Sequence, residues 1–107
     1  VAAAVLAAVE PSWYLVLGAV LFAIGAFGLL VRRNPLVMFM CVELMLNAVV
    51  LSFVTFSRML DDVGGQAVVV FVLVVAAAEV VIGLGIIVAI LRKRPTATAD
   101  DLARLKG

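Results

Sequence analysis

Three long apolar segments, separated by two short polar breaks, constrain this chain of 107 residues more than any other feature. They cover about residues 12–31, 36–57 and 66–91, and each has twenty or more residues. Twenty helical residues are about 30 Å long, which is the hydrocarbon thickness of a bilayer. The sequence therefore predicts an all-α membrane protein with three transmembrane helices, forming a single membrane domain over residues 1–107.

Composition supports a membrane protein without a cofactor of its own. The chain is 67% apolar, whereas soluble domains are about 45–50% apolar because their surfaces need polar groups. Histidine is absent and Cys41 is the single cysteine, so the usual ligands of haem, zinc and iron–sulfur clusters are lacking. We expect no metal, no cofactor and no intrachain disulfide. No basic segment interleaved with aromatic residues suggests nucleic-acid binding.

Strands and a cleaved leader are the structural alternatives to three helices. Valine is abundant in the third segment, but three strands cannot close a barrel and so cannot satisfy their backbone groups in lipid. A secretory signal carries positive charge before its apolar run. Here Arg32 and Arg33 follow the first segment and no basic residue precedes it. We therefore expect a retained first helix.

The basic residues predict the orientation. They cluster in the first break and after the third segment, in the tail over residues 92–107, whereas Arg58 alone lies in the second break. The positive-inside rule then places the first loop and the C-terminus in the cytoplasm and the N-terminus outside. Residues 100–106 of the tail are expected to form a short helix there, or to stay extended until a partner orders them.

Two residue types mark the helix boundaries. Pro35 suits the first turn of the second helix, where its missing N–H group is not needed. The pair Gly64–Gly65 predicts the turn between the second and third helices.

Two glutamates, Glu43 and Glu79, lie inside otherwise apolar segments. An acid at the centre of a membrane helix costs about 2.5–3.5 kcal/mol on insertion scales. Apolar surroundings favour the neutral form of a carboxyl group, and a group that can gain and lose its proton at cellular pH can act in a proton relay. The structural alternative is that both acids stay protonated and hold helices together by hydrogen bonds. Two such acids on neighbouring helices favour proton handling.

Other residues accompany these acids. Asn47 follows Glu43 by four residues, so both lie on one helix face; it is expected to hydrogen-bond the carboxyl group or a water beside it, or to join helices. Ala76 and Gly83 flank Glu79 and permit close approach of another helix. Glycines 18, 25 and 28 predict close packing of the first helix.

Four segments carry a family resemblance: Arg32–Asn34, Val42–Ala48, Ala76–Gly85 and Asp100–Gly107. Together they resemble the K chain (NuoK-like) of bacterial proton-pumping NADH–quinone oxidoreductase, respiratory complex I, over nearly the whole chain. The resemblance implies three transmembrane helices in the membrane arm of that enzyme, in a prokaryotic cell membrane. The partners it implies are the quinone-proximal and antiporter-like subunits.

The resemblance also implies roles for particular residues. Those matching Glu43 and Glu79 belong to a lateral hydrophilic axis that passes protons when quinone is reduced elsewhere. Those matching Arg32 and Arg33 take part in coupling on the cytoplasmic side, although both arginines can also be explained as topology determinants. NADH, FMN, iron–sulfur clusters and quinone belong to other subunits, so this chain is expected to contain no catalytic residue.

Several other functions compete with this interpretation. A small chain of a multisubunit cation/proton antiporter has a similar three-helix plan, but such chains tend to lack an acid at the position of Glu43. A structural membrane-assembly subunit would use both acids as glue. Small multidrug transporters have four spans and an acid on the first helix, and rotor proteolipids have two spans and one acid, so both fit this chain less well.

Overall fold

The chain forms three long helices and one short helix. The computed structural model describes residues 1, 9–96 and 98–102. Helix α1 is Pro11–Val31, α2 is Pro35–Met59, α3 is Val63–Lys93 and α4 is Ala99–Leu102, and these described ranges contain no strand. Helices α1 to α3 are each long and apolar enough to cross a membrane. The predicted three-span, all-α fold is therefore confirmed, with helices that extend a few residues beyond the expected segments.

Helix α2 is the centre of the bundle, because the main helix contacts are those of α1 with α2 and of α2 with α3. Most large apolar side chains on the three helices are exposed in the single chain. In a membrane, such surfaces face lipid or the helices of other chains. The fold thus has little core of its own.

Glycines on α1 allow close packing against α2, as predicted. Gly18 and Gly25 are buried. A methyl group on Gly25 would lie 2.8 Å from the backbone oxygen of Cys41 and 2.6 Å from Met45 Cγ, and one on Gly28 would lie 2.6 Å from Cys41 Sγ. The backbones of α1 and α2 can approach this closely only because these α1 positions carry no side chain.

The loop between α1 and α2 is three residues long and ends in a helix cap. The Arg32 N–H donates to the oxygen of Gly28 at 2.9 Å, which closes α1. The Asn34 side-chain oxygen then accepts from the backbone N–H of Leu36 at 2.9 Å, and Pro35 occupies the first turn of α2 as expected. The cap and the proline together fix where α2 begins.

The predicted turn at Gly64–Gly65 is wrong, because both glycines lie in the first turn of α3. The chain reverses at Asp61, whose φ of 51° is in the left-handed region. Asp62 then caps α3 by accepting from the N–H of Gly64 at 2.8 Å. An aspartate can adopt the left-handed conformation more readily than most residues, so this turn does not require glycine.

Two groups of charges define the ends of the bundle. The basic end contains the α1–α2 loop and the last turn of α3, which includes Arg92 and Lys93. The acidic end contains Asp61 and Asp62. Helix α3 has 31 residues, or about 46 Å at 1.5 Å per residue, which exceeds the hydrocarbon thickness. Its basic last turn can therefore reach the headgroup region.

Candidate functional site

Two contacts fix the register of the antiparallel helices α2 and α3. Near the basic end, a methyl group on Gly83 would lie 2.6 Å from Phe39 Cε2. Near the acidic end, a methyl group on Gly65 would lie 2.8 Å from Ser57 Cβ. Along α2 and along α3 the two contacts are eighteen residues apart. The helices therefore stay in step over this whole length.

This register places the two glutamates at the same depth. Glu43 follows Phe39 by four residues on α2, and Glu79 precedes Gly83 by four residues on α3. At 1.5 Å per residue, each acid lies about 6 Å from the Phe39–Gly83 contact, in the same direction along the bundle. The helix packing therefore brings together two acids that are far apart in sequence, at one level beside the α2–α3 seam.

Glu79 lines a groove on one flank of this seam. The groove has a volume of 280 Å³ and is otherwise apolar; its lining consists of Leu46 from α2 and, from α3, Val68, Phe71, Val72, Val75, Ala76 and Glu79. The small side chain of Ala76 was expected beside Glu79, and it does border the groove. Glu79 itself is exposed in the single chain. Its carboxyl group is therefore accessible to a neighbour that enters the groove.

Glu43 lies on the opposite flank. Helical residues are spaced by about 100°, so Leu46 is turned about 20° to one side of Phe39, and Glu43 about 40° to the other side. Since Phe39 contacts α3 and Leu46 lines the groove of Glu79, Glu43 must border the other flank of the seam. The two acids are thus level with each other but accessible from different sides.

Neither acid has a polar partner within the part of the chain that the structure describes. Glu43 is half-buried, and Asn47 is exposed one helical turn further along α2. Asn47 and Glu43 form no hydrogen bond with each other in this part of the chain, so a water beside the carboxyl group and a contact between helices stay as the predicted roles of Asn47. The side chains of Glu43, Asn47 and Glu79 therefore remain available to water or to another chain.

The two arginines of the α1–α2 loop differ in their surroundings. The Arg33 guanidinium pairs with the carboxylate of Asp100 in α4, and the Arg33 backbone oxygen accepts a hydrogen bond from the N–H of Ala99 at 2.9 Å. Arg32 is exposed, and its side chain has no hydrogen bond or ion pair with residues 9–96 and 98–100, whose side chains the structure describes. The two arginines, for which the same roles were predicted, thus differ in their contacts.

The chain has a clear family match. A sequence model of the family described as NADH-ubiquinone/plastoquinone oxidoreductase chain 4L matches residues 13–107. The chain belongs to this family. The match includes α1 from Trp13 onward, all of α2 and α3, and both Glu43 and Glu79, and it confirms the resemblance to the K-chain family. Members of the family are subunits of NADH–quinone oxidoreductase, so this chain is a multi-pass membrane subunit of a multichain enzyme.

Sequence reasoning missed three residues that shape the site in this family member. Phe39 and Leu46 set the position of the seam, but they resemble every other apolar residue of α2. Asp100 was included in the tail but was not recognised as the partner of Arg33. Its opposite charge was the available signal, and the separation of 67 residues concealed it.

Proposed function

We propose that this chain carries protons through the membrane arm of NADH–quinone oxidoreductase, with Glu43 and Glu79 as the groups that gain and lose them. The protons would move in response to quinone reduction in other chains. The observation that carries this proposal is the placement of the two acids at one depth, on opposite flanks of a single helix seam. The family match supports the enzyme to which the chain belongs.

The level arrangement favours transfer parallel to the membrane plane. A neighbouring chain can reach Glu79 through its groove, while a different neighbour can reach Glu43 from the other flank. A proton that arrives at one acid can then leave from the other after crossing the seam through water, with Asn47 as a polar group on the Glu43 side. This arrangement suits a subunit that lies between two others and links their polar groups.

The free-energy cost of placing charged side chains in lipid indicates that adjacent chains cover the two glutamates. A charged side chain near the bilayer centre costs about 2.5–3.5 kcal/mol, and Glu79 is exposed in the single chain. Polar groups of adjacent chains would lower this cost, which fits a chain that works only inside its complex. In this proposal, the redox cofactors and the quinone bind to those other chains.

The orientation and the loop arginines complete the proposal. The basic end would face the cytoplasm of a prokaryotic cell, because basic loops remain on the cytoplasmic side. Arg32 and Arg33 would then lie at the cytoplasmic surface and contribute to coupling there.

The family match favours this function over an antiporter small chain, but assembly glue remains a distinct alternative. The test compares Glu43→Gln and Glu79→Gln in the whole complex, with Glu10→Gln as the matched control. Glu10 undergoes the same chemical change outside the helices, just before α1. Assembly is measured by co-purification, and pumping by the pH gradient formed during NADH oxidation.

We expect both intramembrane variants to assemble and to pump far less than the control. Removing a positioned proton-transfer group slows transfer on the order of 10²–10⁴-fold. Normal pumping by both assembled variants would refute the relay. Failure of both variants to assemble, with a normal Glu10→Gln complex, would instead support a structural role for the acids.

A further inference from the structure

The C-terminal tail closes onto the α1–α2 loop through two adjacent contacts. Asp100 pairs with the Arg33 side chain, and the backbone N–H of Ala99 donates to the Arg33 oxygen. An exposed ion pair is weak by itself, because fixing two long side chains opposes it. Here the backbone hydrogen bond already holds the tail beside Arg33, so the ion pair needs less additional ordering. We call this pair of contacts the clasp.

The clasp joins parts of the molecule whose main helix contacts are each with α2. Helix α1 packs on the face of α2 that carries Cys41 and Met45, whereas α3 packs on the face that carries Phe39. A short segment after α3 leads to α4, and α4 contacts the loop that directly follows α1. The clasp thus links the basic ends of α1 and α3.

We propose that Asp100 is a positioning residue that holds Arg33 in the clasp and leaves Arg32 as the loop cation presented to another chain. This inference rests on the proposed function where it concerns coupling. The group that Arg32 would meet is an acidic side chain of an adjacent subunit. The two arginines therefore have different roles: Arg33 fixes the loop, and Arg32 forms the contact between chains.

A charge exchange in the intact complex tests this division. The variants are Arg33→Asp, Asp100→Arg and the two combined, and the control combines Arg32→Asp with Asp100→Arg. The readout is the pH gradient formed per NADH oxidised, measured together with the oxidation rate itself. Each single variant of the clasp should lower this ratio, because like charges then face each other.

The exchanged pair should restore at least half of the lost ratio, whereas the combination with Arg32→Asp should restore none. A merely destabilising change at either position would not be rescued by reversing the second charge. The division of roles is overturned if the exchanged pair is no better than the single variants. It is also overturned if Asp100→Arg pumps normally while Arg33→Asp does not.

A disulfide experiment tests the backbone contact of the clasp, between Ala99 and Arg33, without reference to pumping. Arg33→Cys and Ala99→Cys are combined in a Cys41→Ala chain, because the hydrogen bond between their backbones brings the two Cα atoms to about the separation that a disulfide spans. The matched control pairs Ala99→Cys with Arg58→Cys, at the opposite end of α2. Oxidation of the assembled complex should link the first pair within the chain and leave the control unlinked.

The two experiments separate failure of the clasp from failure of the relay. Equal linking of both cysteine pairs, or no linking of the first, overturns the backbone contact of the clasp whatever the glutamate variants do. Efficient linking together with normal pumping by Glu43→Gln and Glu79→Gln supports the clasp while refuting the proton relay.

Discussion

Gly25 provides the sharpest test of the packing between α1 and α2. A methyl group at this position would meet the backbone oxygen of Cys41 at 2.8 Å, whereas ordinary contact begins at 3.4 Å. The Met45 side chain, at 2.6 Å, can move aside, but the backbone oxygen cannot. Gly25→Ala therefore requires α1 to move away from α2 by about 0.6 Å, the difference between those two distances.

The expected change in stability for Gly25→Ala is the balance of two opposing effects. Overpacking of this kind costs about 1–3 kcal/mol, and replacing glycine by alanine in a helix returns about 0.8–1.0 kcal/mol. The net loss for Gly25→Ala is therefore up to about 2 kcal/mol. Gly18→Ala should be nearly neutral, because its nearest contacts would be 3.1 and 3.4 Å. Gly85→Ala should show only the helix gain, since no atom lies within 4 Å.

The single thiol of the chain, Cys41, is a local reporter of this packing. Its sulfur lies against Gly28 of α1, so separation of α1 from α2 exposes it. The assay is the rate of thiol labelling by a membrane-permeant maleimide in the purified chain, reconstituted in bilayers. Gly25→Ala should speed labelling by up to about 30-fold, because each 1.4 kcal/mol corresponds to a factor of ten in the open population.

The comparison of labelling rates between Gly25→Ala and Gly85→Ala tests the packing. Labelling should be fastest for Gly25→Ala, whereas Gly85→Ala, which has only the helix gain, should not be labelled faster than the parent chain. Equal rates for Gly25→Ala and Gly85→Ala would refute the close approach of the two backbones at Gly25.

The polar turns give three smaller predictions, each measured by thermal unfolding of the purified chain in mixed micelles, with Glu10→Gln as the neutral control. Asp61→Gly should be tolerated, whereas Asp61→Val should lower the free energy of unfolding by about 1–2 kcal/mol, because a β-branched residue is strained at positive φ; an unchanged midpoint would contradict the left-handed turn. Asp62→Ala and Asn34→Ala should each lower the free energy of unfolding by about 0.5–2 kcal/mol, because each removes a helix cap. Serine, which can also cap a helix, should restore the stability at either position. Ser57→Ala should lower the free energy of unfolding by about 0.5–1.5 kcal/mol, because the buried Ser57 hydroxyl donates to the backbone oxygen of Asp62 across the turn. An unchanged midpoint would show that this hydrogen bond does not stabilise the turn.

The sequence was sufficient for the fold because length and hydrophobicity determine membrane helices almost by themselves. It also placed Pro35 and the α1 glycines correctly, since each acts through local geometry. The turn at Gly64–Gly65 was wrong because the capping side chain of Asp62 starts α3 before the glycines. Glycine at the first turn of a membrane helix serves close packing here, and Gly65 contacts Ser57.

The site was only partly predictable. Both glutamates are conspicuous in an apolar segment, so their identification needed no structure. Their common depth depends on the register of α2 and α3, which the contacts of Phe39 with Gly83 and of Ser57 with Gly65 determine. Such contacts are decided by the packing of two surfaces and cannot be obtained from either helix alone. The same is true of the ion pair between Arg33 and Asp100, which depends on the path of the tail.

The common depth of the acids also limits what this chain can contribute to energy conversion. Moving one charge through a membrane potential changes its energy by about 2.3 kcal/mol per 100 mV. A proton exchanged between Glu43 and Glu79 moves sideways, so it crosses almost none of that potential. Under the proposed relay, the energetic work of pumping is then done where protons enter and leave the membrane. In this proposal the role of the α2–α3 seam is to connect those steps, and a membrane potential should therefore slow entry and exit while leaving transfer across the seam nearly unchanged.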